Sequence, residues 1–135
     1  GAAQEPGLYH CAIGYSGVYD LQIMRDQGDI TRSSSGRTYL NDVLRDDKAW
    51  LAERSPTKRA AQIKVPVLLI HGGKDERTPP AHAEAMKRAL TAAGNPPEWL
   101  YVESEGHGFY NTENRIAAYQ KILDFLNKHI GPQSK

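Results

Sequence analysis

The sequence predicts an α/β fold of about three parallel strands flanked by helices. Three observations carry that expectation. Strand-like runs occupy residues 9–15, 65–70 and 98–102, with Gly- or Pro-containing turns at their borders. Stretches with apolar residues at helical spacing lie between and after them. The second run, Val65-Pro66-Val67-Leu68-Leu69-Ile70, is apolar at consecutive positions, as suits a strand covered on both faces in a parallel sheet. Strand, helices, strand, helix, strand, helix is the order of a doubly wound sheet.

The first run, Tyr9-His10-Cys11-Ala12-Ile13-Gly14-Tyr15, lies between Pro6-Gly7 and Ser16-Gly17. Between residues 20 and 60, segments 39–45 and 48–54 read as short helices and 28–36 as a loop. In the second run Pro66 stands near the start, where a missing N–H does least harm. A helix follows in which Thr78 can cap, Pro79 and Pro80 suit the first turn, and Met86, Ala89, Leu90 and Ala93 form an apolar stripe up to Gly94. The turn Gly94-Asn95-Pro96-Pro97 leads into the third run. The last helix starts near Asn111 or Thr112, carries the stripe Ile116, Tyr119, Leu123, Leu126 and Ile130, and stops at Gly131-Pro132. Three strands make a small sheet, and almost nothing precedes the first. The pattern reads as the end of a larger domain.

Composition narrows the function. The 135 residues suit one domain, and 39% hydrophobic with 24% charged residues is a globular composition. Seventeen Lys+Arg against 16 Asp+Glu leave a net charge of +1 with the signs mixed, so no basic stripe points to nucleic acid. Cys11, the single cysteine, excludes an internal disulfide and a multi-cysteine zinc site. Residues 65–70 are the longest apolar stretch, far short of the roughly 20 residues of a membrane span. The opening GAAQEPG lacks the character of a signal peptide. Cytoplasmic and periplasmic or secreted locations both stay open.

In parallel α/β sheets, functional groups gather beyond the carboxyl ends of the strands. Here those positions hold His71-Gly72-Gly73-Lys74-Asp75 and Glu103-Ser104-Glu105-Gly106-His107-Gly108-Phe109. Asp75 and His107 are therefore expected on adjacent loops. An acid that orients a histidine serving a nucleophile is the logic of the serine-hydrolase triad, and nucleophile, acid, histidine is its chain order on α/β-hydrolase sheets. Glycines on both sides of His107 suit a tight loop that aims the imidazole.

The run 65–72 with Asp75 and Pro79, followed by Glu105-Gly106-His107-Gly108-Phe109 and Glu113-Asn114, resembles the carboxyl end of the prolyl oligopeptidase family of serine peptidases. Ser55-Pro56 and Tyr19-Asp20 fit the same pattern, and the dipeptidyl and acylaminoacyl peptidase branches are the most similar. The resemblance implies a partial α/β-hydrolase fold, Asp75 as the triad acid, His107 as the general base, a short peptide substrate, and no metal or organic cofactor. It also implies a G-x-S-x-G-G elbow upstream of residue 1. Residues 1–135 then form the carboxy-terminal portion of one catalytic domain whose amino-terminal part is a partner. The strand of residues 9–15 is expected beside the strand bearing that elbow, so its bared edge is expected to pair with a second copy in a two-fold dimer.

Other readings stand beside these. Gly14-Tyr15-Ser16-Gly17-Val18 offers Ser16 as the nucleophile of a complete small hydrolase, but Val18 stands where the elbow needs glycine. An esterase would use the same constellation, and a non-catalytic α/β module would keep the pattern for packing alone. Glu76 is the fallback acid, one residue off. His71 is expected to support its surroundings, His82 and His129 to be solvated, Cys11 to be a buried mid-strand thiol, and Trp99 to be core. Lys74 and Arg77 are expected as solvated charges.

Overall fold

The computed structural model describes residues 1–132. Strands β1 (Ala12–Tyr15), β2 (Val67–Gly72) and β3 (Glu98–Val102) pair in parallel in the order β1-β2-β3, with Ile13 opposite Leu68 and Ile70 opposite Leu100. Every residue of β2 is buried. Its side chains divide by alternation: Val67 and Leu69 pack with Met86 and Leu90 of α4 (Ala81–Ala92), while Leu68 and Ile70 pack with Ala118 and Phe125 of α5 (Thr112–Ile130). Burying an aliphatic side chain of this size stabilises by about 1.5–3 kcal/mol, so these four positions dominate the core.

Three short helices fill the stretch between β1 and β2: α1 (Leu21–Asp26), α2 (Ser34–Val43) and α3 (Lys48–Arg54). Asp20 caps α1 by accepting the N–H groups of Gln22 and Ile23, and Asp47 caps α3 through Ala49 and Trp50. The Ser55 hydroxyl accepts the Leu21 N–H at 2.9 Å and donates to the Leu51 carbonyl at 2.7 Å, joining the start of α1 to the end of α3. The expected loop at 28–36 is instead a 3₁₀ turn, Asp29–Arg32, followed by the first turn of α2, whose cap is Ser33.

Other expectations are corrected. The first strand starts at Ala12 rather than Tyr9. Upstream of Pro66 the carbonyls of Ile63 and Val65 accept the side-chain amide of Asn95, both at 2.9 Å, and the chain bends at Val65. Residues 9–11 therefore have no strand to pair with, and Cys11 is half-buried just ahead of β1. The Thr78 side chain does not cap α4; Pro80 stands at that position. Trp99 is half-buried, stacked on Tyr101 with centroids 5.7 Å apart. Most of the stripe expected for α5 points outward, with Ile116, Tyr119, Leu123 and Ile130 all more than half exposed and Leu126 half-buried. Ala118 and Phe125 face β2 instead, the small alanine permitting close approach. His129 is half-buried with its ring edge-on to Phe125 at 4.6 Å.

His82, expected in solvent, is buried at 1% exposure. Its Nδ1 accepts the backbone N–H groups of Tyr19 and Asp20, each at 3.3 Å, and so ties α4 to the loop after β1. Burial lowers its pKa to about 4, against a smaller upward pull from Asp20. The unfolded chain therefore takes up this proton first as pH falls. Its contribution to stability is complete above about 6.5 and lost on going down to about 4, a loss of at most about 3 kcal/mol. Urea unfolding across that range should show the decline. His82→Leu should be less stable at neutral pH and should lack this part of the slope.

Candidate active site

Asp75 sits in the turn that follows β2, and His107 in the loop that follows β3. The turn and the loop touch because the chain has no side chain where they meet. A Cβ on Gly72 would run into the carbonyl oxygens of Gly106 and Glu105, and one on Gly73 would lie 2.7 Å from the Glu103 Cα. Backbone hydrogen bonds then stitch them: Gly73 N–H to the Val102 carbonyl at 2.9 Å and Lys74 N–H to the Glu105 carbonyl at 2.8 Å.

The Asp75 side chain is wholly buried. Its Oδ1 accepts the N–H groups of Thr78 at 2.8 Å and Arg77 at 3.1 Å. His107 Nδ1 lies 3.0 Å from Oδ2 and 3.2 Å from Oδ1. A carboxylate only accepts, so Nδ1 carries a proton, and in the neutral ring Nε2 keeps its lone pair. The imidazole is 41% exposed, so this lone pair belongs to a ring that meets solvent. A second histidine supports the acid from behind. His71, fully buried, has Nε2 2.8 Å from the Thr78 carbonyl and 3.5 Å from Asp75 Oδ2. A carbonyl also only accepts, so here the proton sits on Nε2. Glu76 is exposed and pairs with Arg32 at 2.6 Å, away from His107.

Beside His107 opens a cleft of about 710 Å³ with apolar walls from Val18, Met24 and Ile30. Asp29 and Arg77, paired at 3.4 Å, complete it. The Asp29 N–H donates to the Glu76 carbonyl at 2.8 Å, and Gly28, at φ 98°, passes so close that a Cβ would lie 2.9 Å from the Arg77 carbonyl. The segment first read as a loop thus forms a fixed wall of the cleft. Arg77, expected as a solvated charge, is exposed and also borders that wall. Ser16 lines the same cleft with φ 47°, but its Oγ is sealed from solvent and has no hydrogen-bond partner among the described residues.

The Prolyl oligopeptidase family model matches residues 1–133. The chain belongs to that family. Its homologues there are serine peptidases. Dipeptidyl aminopeptidase BIII of Pseudoxanthomonas mexicana is 36% identical over 88 residues, 65% of this chain and 13% of that protein. Acylamino-acid-releasing enzyme of Rattus norvegicus is 29% identical over 133 residues, 95% of this chain and 18% of that protein. Among solved structures, an acylaminoacyl peptidase of Pyrococcus horikoshii superposes with a TM-score of 0.85 at 20% identity, covering 97% of this chain and 22% of that one. The chain thus spans less than a fifth of these two curated relatives, and its three strands are part of an α/β-hydrolase fold.

Sequence reasoning missed the side chain of Glu105, which it read only as a motif letter. Its carboxylate is buried and accepts the N–H groups of Tyr110 and Asn111. A glutamate just before a Gly-His-Gly loop was the available signal. Gly72→Ala is expected to force turn and loop apart, at a cost of about 1–3 kcal/mol as for other overpacked sites. Thermal unfolding should record the loss, and the His107 Nδ1–H resonance should shift or vanish.

Proposed function

We propose that this chain is the acid- and base-bearing part of a serine peptidase acting on short peptides. The observation that carries the reading is the hydrogen bond of His107 Nδ1 to a buried Asp75 carboxylate, which leaves Nε2 as the acceptor beside an apolar cleft. In this reading Nε2 takes the proton of a serine hydroxyl as the oxygen attacks the peptide carbonyl. The imidazolium so formed is stabilised by Asp75, and its proton passes to the leaving amine. Asp75 also fixes the tautomer. The cleft walls of Val18, Met24 and Ile30 receive an apolar substrate side chain. The names of the relatives supply two candidate substrate classes, peptides that release an N-acylated amino acid and peptides that release a dipeptide.

The nucleophile in this reading comes from polypeptide outside these 135 residues, entering beside β1. The relatives support this, since each is several times longer than the chain. Strand alternation supports it as well. Ala12 and Ser16 spend their N–H groups on β2, which turns that of Ile13 toward the open edge. A second reading makes Ser16 the nucleophile, favoured by its positive φ and its place in the cleft. Its sealed Oγ weighs against it.

In a protein carrying the nucleophile, Asp75→Asn should lower kcat by about 10⁴ and His107→Ala by a comparable factor, with unfolding curves little changed. Assay of peptide substrates that release an acylamino acid or a dipeptide would measure this, and retention of activity in either variant would sink the reading. A fluorophosphonate probe should leave the 135-residue chain unlabelled; labelling lost in Ser16→Ala would establish the second reading instead.

For the chain on its own, we expect the open edge of β1 to pair with a second copy, antiparallel at the seam, as a two-fold axis requires. Sedimentation equilibrium should show a dimer that Ile13→Pro dissolves. A parent chain that stays monomeric at micromolar concentration would count against the pairing.

A further inference from the structure

Only two carboxylates, Asp75 and Glu105, are buried among the described residues, and the proposed chemistry uses one of them. Glu105 stands at the root of the loop that carries His107. Its Oε2 accepts the Tyr110 N–H at 2.8 Å, and its Oε1 accepts the Asn111 N–H at 3.1 Å and the Asn114 side-chain amide at 2.8 Å. Those three donors lie at or just before the amino end of the 19-residue helix α5, where a negative charge is also favoured by the helix dipole. The bond from the Asn114 side chain, aided by the two backbone N–H groups, holds the Glu105 carboxyl below its ordinary range. The backbone of the same residue faces the other way. Its N–H donates to the Val102 carbonyl at 3.1 Å, and its carbonyl accepts Lys74 N–H from the turn bearing Asp75.

Residues 105–110 thus form a closed ring of chain, with Glu105 bonded to both ends. Inside the ring, His107 stands between Gly106 and Gly108, the two residues with the most conformational freedom to lose. Neither of them makes a side-chain contact that could hold the loop.

We propose that Glu105 is a positioning residue for His107: by tying the root of the loop to its far end at the start of α5, it keeps Nδ1 on Asp75. Its catalytic importance rests on the triad reading above, but its effect on geometry does not. Removing the clamp frees the two glycines, and His107 spends part of its time away from the acid.

The test needs no turnover. In the ¹⁵N-labelled chain the His107 ring should show one tautomer, with the proton on Nδ1. In Glu105→Ala the ring should average between tautomers and Nδ1–H should exchange with solvent roughly tenfold faster, the effect of losing a charge-assisted hydrogen bond. Glu105→Gln, which keeps one acceptor oxygen, should lie between. Methyl spectra of Leu68 and Ile70 report whether the core is unchanged. A folded Glu105→Ala whose His107 keeps the parent tautomer and exchange rate overturns the proposal. Should Glu105→Ala fail to fold, Asn114→Ala decides, because it removes one of the three donors from the clamp and leaves the Glu105 backbone bonds in place. Faster Nδ1–H exchange supports the clamp, and an unchanged rate overturns it. In a protein carrying the nucleophile, Glu105→Ala should lower kcat about tenfold with little change in KM. Loss of the NMR effect would refute the clamp, whereas an NMR effect without any change in kcat would refute the triad reading alone.

Discussion

The contact on which the rest of this structure depends is one without side chains. Gly72 and Gly73 end β2, and the loop after β3 lies directly on them. Any Cβ at Gly72 would occupy the space of the Gly106 and Glu105 carbonyls. That approach lets the Lys74 and Gly73 N–H groups find acceptors across the gap, and it brings an aspartate and a histidine 32 residues apart within hydrogen-bond reach. Two glycines give up conformational entropy so that backbone can rest on backbone. The Asp75–His107 pair is then held by main-chain geometry rather than by long flexible side chains.

Two buried histidines show how neighbouring backbone sets a tautomer. At His71 a carbonyl faces Nε2 and demands a proton there; at His82 two N–H groups face Nδ1 and demand a lone pair. Both rings end up with the proton on Nε2, the reverse of His107. The same side chain thus stands as a brace, a tie and a solvent-facing ring within one small sheet, and the difference lies in what each nitrogen meets.

Much of this was legible in the sequence. Consecutive apolar residues mark β2, and the loops after β2 and β3 carry the Asp75 and His107 that the structure brings together. The rest depended on long-range contacts. Helix α5 carries apolar residues on two faces, and periodicity alone favoured Ile116, Tyr119, Leu123 and Ile130; packing against β2 selected Ala118 and Phe125, since the smaller residue allows the closer approach. Residues 9–11 have strand composition but no partner, because the chain opposite them bends at Val65 instead of continuing β2 upstream. His82 reads as a surface residue until one sees the two backbone donors that need it. The turn at Asp29–Arg32 owes its order to the Glu76 carbonyl, which lies 47 residues from Asp29 along the chain.

The parallel register carries one more consequence. Gly72 is paired with Val102, so Asp75 stands three residues beyond the last rung of the ladder and His107 five beyond it. A slip of one residue between β2 and β3 would move the two loops past each other by about 3.3 Å and turn each side chain to the opposite face. The hydrogen bond between acid and imidazole has a tolerance of a few tenths of an ångström. It therefore requires the native alignment of β2 with β3. A single ring proton on His107 thus works as a vernier for the β2–β3 pairing, visible when the register is right and absent when it is off by one.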